Sequence, residues 1–261
     1  ILHSGTVVTG GKQNNIIENG AVVWGNNKIL AIGDEKELLN RFADADRINA
    51  NGGIIFPAFI NAHHHIYSAF ARGLSIPNNT PNNFLAVLEG TWWNIDRHLT
   101  NAMTCYSAYM TLIECIKSGV TTVFDHHASF GEIAGSLSEI AEVSTELGVR
   151  SCLCYEISDR DGEQKAKQSV LENVRFAKEC ENDKSGLLSA LCGMHASFTI
   201  SEKTMTFARE QMDNGFHIHV CEGSYDRDDC ERLYHESVIS RLKRHDILGE
   251  KTICGHCVYL T

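Results

Sequence analysis

The pattern of apolar and polar residues changes near residue 50. Before that point, short β-type runs are separated by turn-forming glycines and asparagines, and a helical pattern follows near Glu35 to Phe42. The three runs are Thr6–Thr9, Gly20–Trp24 and Lys28–Ile32. The first part of the chain therefore predicts a small antiparallel sheet with one short helix.

From residue 53 onward, strand-like apolar runs alternate with long helical stretches. The run that ends in His63, His64 and His65 comes first. The later predicted strands are Val120–Phe124, Arg150–Ile157, Leu187–Met194, Phe216–Cys221 and Thr252–Tyr259. The predicted helices are Asn101–Lys117, Glu132–Leu147, Glu163–Cys180, Ser201–Met212 and Arg227–Arg244. Strands that alternate with helices in this way indicate βαβ units and a parallel sheet.

Polar residues follow nearly every predicted strand, and this feature separates two α/β architectures. They are His63, His65, Asp125, His126, Asp159, His195, His219, Glu222 and His256. A doubly wound sheet builds its site at one switch point, whereas a (β/α)8 barrel uses the carboxyl ends of many strands. We therefore predict an α/β fold of the TIM-barrel type over residues 53–261.

About six of the eight barrel strands are present in this prediction. An arc of six strands leaves two unpaired edges, so we expect the chain to be part of a longer protein. Ile54 and Ile55 at one edge, and Ile253 and Val258 at the other, are expected to meet water. Exposed edges pair with other chains, which predicts that residues 1–261 alone are insoluble or form homo-oligomers.

Composition and charge indicate which kinds of binding partner and which cellular location to expect. The chain is 43% hydrophobic and 21% charged, and its net charge of −10 includes no basic block, so nothing favours nucleic acid or a membrane surface. No apolar run approaches the ~20 residues of a membrane span. Several of the ten cysteines lie within predicted strands and helices, as buried thiols do, which indicates a reducing, cytoplasmic location.

The histidine triplet carries the first candidate chemistry. On a strand with period two, His63 and His65 share one face and His64 takes the other. His219 points inward from its own strand, and three imidazoles are the number that a catalytic zinc keeps beside its open water position. The alternative is a surface accident or an expression tag, and a tag is not expected inside an apolar run. His217 shares the face of His219, but we interpret it as a hydrogen-bonded interior residue.

Two residues just past predicted strands are candidates for catalysis. Glu222 follows His219 by three positions, the wrong parity for one strand face, so it must lie beyond the strand end, where a carboxylate can shuttle protons to metal-bound water. His256 lies between Cys254 and Cys257 in a spacing that disulfide oxidoreductases also use. That chemistry needs its first cysteine at a helix N-terminus. These flanks predict strand, so we interpret His256 as facing the metal pocket.

Three aromatic residues are candidates for substrate binding: His195, His126 and Trp92. His195 has two interpretations, a hydrogen bond to substrate or a cap for the helix that follows, and we favour the first. His126 and Trp92, with their neighbours His127 and Trp93, are predicted to line the pocket.

Three motifs in order resemble those of the amidohydrolase superfamily. They are Phe56-Pro57-x-Phe59-Ile60-Asn61-Ala62-His63-His64-His65, His219-x-x-Glu222 and His256-Cys257-x-x-Leu260. The chain is similar, more narrowly, to the branch that holds guanine, S-adenosylhomocysteine and chlorotriazine deaminases. With Phe124-Asp125-His126-His127 and the segment Tyr155–Gly162, the triplet looks most like the SsnA-type aminohydrolases.

The resemblance implies a metal-dependent hydrolase with one divalent ion, Zn²⁺ or alternatively Fe²⁺. The implied ligands are an aspartate after the eighth strand and three residues of this chain, His63, His65 and His219. The resemblance also implies catalytic roles for Glu222 and His256, and it makes residues 1–52 the N-terminal part of a composite β-sandwich domain. A binuclear member would carry a lysine at the end of strand four, where this chain has Met194 and His195, which favours a single metal.

The implied function is hydrolytic deamination of a small amino-substituted N-heterocycle. Metal-activated water adds to the ring carbon that bears the amino group, Glu222 protonates a ring nitrogen, and ammonia leaves. His256 orients the attacking oxygen or stabilises the developing oxyanion. One alternative is another amidohydrolase-type enzyme that cleaves a C–N or C–Cl bond. The other is a non-catalytic metal-binding paralogue.

Overall fold

The structure of the chain, a computed structural model, describes residues 1–77 and 79–260. Two units make up the fold, one from Ile1 to Phe59 and one from Ile60 onward. Each unit buries its own apolar residues. The cluster of the first unit is small and consists of Ile1, Ala21, Val23 and Leu38, whereas the second unit contains two large clusters between its strands and helices.

The first unit is a β-meander followed by a short helix. Its elements are β1 (Leu2–Val8), β2 (Ile16–Gly25), β3 (Lys28–Asp34), α1 (Glu35–Arg41), β4 (Ile48–Asn49) and β5 (Ile54–Ile55). The first three strands pair antiparallel, as predicted, and Asn26 and Asn27, both at positive φ, close the β2–β3 hairpin. β4 and β5 pair with β1 in parallel, so the sheet is mixed rather than purely antiparallel.

The second unit alternates strands with helices. Its strands are β6 (Phe59–His64), β7 (Val120–His127), β8 (Arg150–Tyr155), β9 (Leu188–Ala190), β10 (Cys192–Ala196), β11 (Phe216–Val220) and β12 (Ile253–His256). Its helices are α2 (Phe84–Val87), α3 (Trp93–Asp96), α4 (Asn101–Lys117), α5 (Ser136–Leu147), α6 (Glu163–Glu181), α7 (Glu202–Gln211), α8 (Ser224–Tyr234) and α9 (Val238–Arg244). This is the alternation that the sequence predicts.

The strands follow one another in the order β6-β7-β8-β9 and then β10-β11-β12. Neighbours from β7 to β9 and from β10 to β12 pair in parallel, and a parallel bridge between Ile157 and Met194 continues β8 onto β10. The predicted fourth strand, Leu187–Met194, is therefore two strands that part at Leu191. Because parallel strands share one direction, their carboxyl ends lie at a common rim, and the site is built there.

Two predicted helices differ from the structure, each for a local reason. The predicted helix Arg227–Arg244 is instead the pair α8 and α9. His235 takes a left-handed conformation, with φ of 55°, and Ser237 then caps α9 by accepting a hydrogen bond from a backbone N–H. α5 begins after Gly135, whose φ of 83° interrupts a helix predicted to start at Glu132.

The expected exposure of apolar residues at two strand edges is confirmed only in part. Ile54 is 67% exposed and Val258 is 65% exposed. Ile55, in contrast, is buried, because it pairs beside Val7 of β1. All ten cysteines are free thiols. Among residues 1–77 and 79–260, no helix combines the length and the apolar character needed to cross a bilayer.

Candidate metal centre

Three histidines converge at the rim of the second unit: His63 in β6, His65 just after β6, and His219 in β11. The ring centroids of His63, His65 and His219 lie 4.9, 5.0 and 5.1 Å from one another. One ring nitrogen each from His63, His219 and His256 falls within 4.8 Å of the others, and the same holds for His65, His126 and His219. His219 belongs to both groups, so it marks the middle of the cluster.

The protons on His65 and His219 are placed by backbone carbonyl groups. Nδ1 of His65 lies 2.7 Å from the carbonyl oxygen of His126, and Nδ1 of His219 lies 2.8 Å from that of His195. A carbonyl oxygen only accepts, so both Nδ1 atoms carry hydrogen, and in a neutral ring Nε2 is then a lone pair. Burial lowers the pKa of His219 well below its ordinary value, so that ring is neutral.

The Nε2 atoms of His65 and His219 face each other at 3.1 Å, and each is a lone pair when its ring is neutral. Two ligands of one tetrahedral ion with bonds of 2.0–2.1 Å stand about 3.3 Å apart. Two facing lone pairs repel unless a cation lies between them. His65 and His219 therefore fit a shared metal ion, with backbone carbonyls as the outer groups that orient metal-binding histidines.

His63 is oriented by another histidine rather than by the backbone. Its Nδ1 lies 2.7 Å from Nε2 of His217, and burial lowers the pKa of His63 to about 4 and that of His217 to about 3. His63 Nε2 is buried and has no hydrogen-bond partner in the described part of the chain. It is thus available as a ligand. His217 is the hydrogen-bonded interior residue that the sequence predicts.

Gly255 makes room for these rings. A Cβ at this position would stand 3.3 Å from Cε1 of His63 and 3.6 Å from Cδ2 of His219. The first separation is tighter than ordinary packing and would force the His63 ring to move. The glycine between Cys254 and His256 therefore serves the histidine cluster.

Glu222 and His256 reach the site through left-handed backbone. β11 ends at Val220, and Cys221 follows with φ of 47°, so the chain turns and Glu222 lies past the strand end, as the sequence predicts. His256 is paired opposite Val220, which by alternation would direct it outward, but its φ of 68° turns the ring inward. Non-glycine residues rarely adopt such angles, and they cluster at functional sites.

The Glu222 carboxyl group and the His256 ring form a pair. Nε2 of His256 lies 3.4 Å from Oε2 of Glu222, and the His256 ring stacks on that of His219 with centroids 5.4 Å apart. Burial raises the pKa of Glu222 to about 7. A carboxyl group with this pKa can both accept and donate a proton near neutral pH.

A cavity of about 330 Å³ opens over the cluster. Its lining includes His195 and Trp92, together with the aromatic residues Tyr67, Phe84 and Trp93. His195 does not cap α7, because the Ser201 hydroxyl accepts the hydrogen bond from the backbone N–H of Thr204.

His126, unlike the other two candidates for substrate binding, His195 and Trp92, does not line the cavity. It is fully buried, its Nε2 donates to the carbonyl oxygen of Met194 at 2.9 Å, and it is not among the residues that line the cavity. The prediction that His126 lines the pocket is therefore corrected. This side chain lies beneath the floor, in contact with His219, and its ring centroid is 4.4 Å from that of His219.

Glu156 is a cavity residue that the sequence analysis missed. The predicted polar residue of that strand end, Asp159, instead accepts hydrogen bonds from the backbone N–H of Ser201 and the hydroxyl of Thr204, and so holds the start of α7. Glu156 directly follows β8 and is 3% exposed. Its position as the first ionisable residue after an apolar strand is the signal that could have identified it.

Arg160 divides its contacts between two buried carboxyl groups. It donates to Glu156 and, at 2.5 Å, to Asp96. Burial raises the pKa of Asp96 to about 8. Burial also acts to raise the pKa of Glu156, but the positive charge of Arg160, which donates to this carboxylate, acts to lower it, and the pKa lies below its ordinary value. Of the two carboxyl groups, Glu156 is thus the one that stays ionised.

Comparison with known proteins identifies a family that matches most of the second unit. The model described as "Amidohydrolase family" matches residues 54–261. A 5-methylthioadenosine/S-adenosylhomocysteine deaminase of Thermococcus sibiricus is 29% identical over 94% of this chain, which spans 58% of that relative. The chain thus covers a little over half the length of this relative.

Two solved structures share the fold. An atrazine chlorohydrolase of Arthrobacter aurescens, in complex with zinc, superimposes with a TM-score of 0.77 at 20% identity, covering 98% of this chain and 60% of its own. An adenosine deaminase of Xanthomonas campestris with bound zinc gives 0.77 at 18% identity, covering 100% and 58%. At these identities the likeness establishes a metal-dependent hydrolase type of α/β fold.

Proposed function

The chain belongs to the amidohydrolase family, and from this premise we propose that it is the metal-binding part of an aminohydrolase. The reaction is the hydrolysis of a C–N bond in an amino-substituted N-heterocycle, with release of ammonia. The observation that carries the proposal is the pair of Nε2 atoms of His65 and His219 that face each other at 3.1 Å, with Glu222 on the wall of the same cavity. The Thermococcus relative, which is named a deaminase, supports the same chemistry.

His63, His65 and His219 would hold one divalent metal ion, zinc in the first place and iron as the alternative. The zinc in the two similar structures supports this choice. An aspartate of the full-length protein would complete the ligand set. When bound, such an ion lowers the pKa of water toward ~7 and polarises the group under attack.

The residues of this chain then handle the proton and the substrate ring. Glu222, with a pKa of about 7, takes up a proton from the attacking water and delivers it to a ring nitrogen. The second proton of that water passes to the amino group, which leaves as ammonia. His256, beside Glu222, donates a hydrogen bond to the developing charge. His195 and Trp92 bind the ring from the cavity wall.

We extend the proposal to the architecture and location of the whole protein. Residues 53–261 would supply six strands of a (β/α)8 barrel, and residues 1–52 the N-terminal part of a composite β-sandwich. The free thiols and the negative net charge favour a cytoplasmic protein that acts on small molecules rather than on nucleic acid or membranes. Assembly into a homo-oligomer belongs to the same proposal.

The test is ammonia release by the metal-loaded full-length protein from amino-purines, amino-pyrimidines and amino-triazines. Glu222→Gln should keep one equivalent of metal and lose a factor on the order of 10²–10⁴ in turnover. Glu163→Gln, an exposed glutamate that pairs with Lys203, is the control and should retain full activity.

Two results would contradict the proposal. Near-normal deamination by metal-loaded Glu222→Gln would remove Glu222 from the chemistry. Release of chloride from chlorotriazines, with no ammonia from any amino-heterocycle, would instead favour the C–Cl hydrolase.

A further inference from the structure

Glu156 is a carboxylate held rigidly at the cavity wall. Its backbone N–H donates to the carbonyl oxygen of His127 at 2.7 Å, so the residue continues the edge of β8. One carboxylate oxygen, Oε1, accepts from Arg160. The side chain therefore has little freedom to turn away from the cavity.

Arg160 is itself held in place by two aromatic rings and a second carboxyl group. Its guanidinium lies 4.2 Å from the ring centroid of Phe130 and 5.2 Å from that of Trp93, and it also donates to Asp96. Only 5% of the Arg160 side chain is exposed. Because a buried, paired guanidinium stays charged, Arg160 holds Glu156 as an anion.

The second oxygen of Glu156, Oε2, has a single long contact to a ring nitrogen among the described residues. Oε2 accepts no hydrogen bond from any residue among 1–77 and 79–260, and the nearest ring nitrogen, Nδ1 of His126, is 3.6 Å away. Oε2 can be reached from the cavity, since Glu156 is one of the residues that line it. A carboxylate oxygen that faces a cavity without a hydrogen bond is stabilised when a ligand in the cavity donates one to it.

His195 presents a second acceptor next to it. The Thr199 hydroxyl donates to the carbonyl oxygen of Ala196 at 3.1 Å, so toward His195 Nδ1, 2.7 Å away, it can only accept. Nδ1 of His195 therefore carries hydrogen, and Nε2 is a lone pair in the neutral ring. A ligand atom each from Glu156, His195 and His219 lies within 4.8 Å of the others.

Resting on the function proposed above, we propose that Glu156 is a specificity-determining residue that accepts an N–H hydrogen bond from the substrate ring. The substrate class is then a heterocycle with an amidine-type edge, in which a ring N–H and an amino group stand side by side. Glu156 accepts a hydrogen bond from one of these two donors, and His195 accepts one from the other. A keto oxygen at the same edge would face two acceptors and be rejected. Because Glu156 lies so close to His219, the contact falls on the reacting ring rather than on a distant substituent.

A purely structural role for Glu156 makes a different prediction. If the carboxylate only offset metal charge beneath the cavity, its removal would weaken metal binding and leave the choice among ligands unchanged. Ligand selectivity at equal metal content therefore separates the two roles.

The experiment measures binding without turnover, in metal-loaded full-length Glu222→Gln protein. That background leaves Glu156 as the single carboxylate among the described residues that line the cavity. The probes are benzamidine and benzamide, which share a shape; benzamide replaces one nitrogen donor by an acceptor oxygen and lacks the positive charge that benzamidine carries near neutral pH. Calorimetry should give at least about tenfold tighter binding of benzamidine, as expected for a charge-assisted hydrogen bond.

Two further substitutions in the same background complete the design. Glu156→Gln should reduce the benzamidine preference to about twofold or less at unchanged metal content. Glu172→Gln is the matched control, because Glu172 is equally buried at 3% exposure and also pairs with an arginine, Arg175, but does not line the cavity. It should keep the full preference. If Glu156→Gln does not fold, Glu156→Asp should weaken benzamidine binding and retain its preference over benzamide.

Equal affinities for the two probes in the Glu222→Gln background would overturn the inference, as would an unchanged preference after Glu156→Gln. Neither result depends on catalysis. A protein that shows the preference but, with Glu222 intact, releases no ammonia from any amino-heterocycle contradicts the proposed function alone.

Discussion

The position of the hydrogen on each imidazole ring and the φ angle of His256 determine which ring nitrogens can bind a metal ion. Period-two alternation was enough to place His63, His65 and His219 on inward faces. It could not place His256, whose inward direction depends on a left-handed φ. It also could not reveal that His217 serves as the hydrogen-bond partner of His63, because that contact joins residues 154 positions apart.

The hydrogen bond between His217 and His63 predicts an effect on metal affinity. When His63 binds the metal through Nε2, its Nδ1 carries the hydrogen and His217 Nε2 accepts it, so His217→Leu removes that acceptor. Loss of such an outer partner typically costs 10–100-fold in metal affinity. Metal titration against a competing chelator measures it. His217→Gln, whose side-chain oxygen can still accept, should recover part of the loss, and equal losses in both variants would refute this role.

At the scale of elements, one arginine ties α9 to α7 and to the loop between β10 and α7. Arg241 is fully buried, and it donates to the carboxylate of Glu202 and to the carbonyl oxygens of Ser197 and Ile200. Its guanidinium also lies 3.9 Å from the ring centroid of Tyr234. This network holds the helices that flank β10 and β11, the strands that carry His195 and His219.

Arg241→Met should therefore destabilise the fold strongly. The change leaves buried carbonyl groups without a donor, and we expect a loss of about 3 kcal/mol in the free energy of unfolding. Denaturant unfolding of the variant and the parent protein gives the difference. Arg244→Met, which removes an exposed partner of the same Glu202, should cost below about 1 kcal/mol. A similar cost for both changes would contradict this account.

The same network predicts a pH dependence of stability. Burial acts to raise the pKa of Glu202, but hydrogen bonds from Arg244, Arg241 and His245 outweigh it and lower the folded-state pKa from 4.5 to about 2. A lowered folded pKa adds stability above pH 4.5, and that stability is lost as the pH falls from 4.5 toward 2. Glu202→Gln should flatten the fall in denaturation midpoint over this window, whereas Glu163→Gln should not.

Element boundaries show what the sequence could and could not provide. The alternation of apolar strands and helices was sufficient to predict all six strand positions, since each strand contains an apolar run; β8 and β11 bury nearly all of it, whereas β6 and β12 leave part of theirs exposed. The division of α8 from α9 was missed because His235, unlike a glycine, gives no sign of a left-handed conformation. The parting of β9 and β10 was missed because Leu191 continues an unbroken apolar pattern.

At the scale of the whole molecule, the family match and the fold agree with what the motifs imply. The exposed apolar residues near the strand edges, Ile54, Ile60 and Val258 among them, keep self-association of residues 1–261 as a prediction. The buried Glu156–Arg160–Asp96 network lay outside the reach of sequence reasoning, because Asp96 is 64 positions from Arg160 and meets it only in the fold. The motifs predict the metal ligands, whereas the selectivity proposed for the cavity depends on this tertiary contact.

The central claim is that His63, His65 and His219 bind one divalent metal ion. X-ray absorption at the zinc edge of the full-length, zinc-loaded protein tests it most directly. We expect one equivalent of zinc, nitrogen or oxygen ligands at about 2.0–2.2 Å with the scattering signature of three imidazoles, and no sulfur. Loss of one imidazole in each of His63→Ala, His65→Ala and His219→Ala would assign the ligands. A sulfur ligand at about 2.3 Å, as Cys254 or Cys257 would give, or an unchanged spectrum in any of the three variants, would contradict the account.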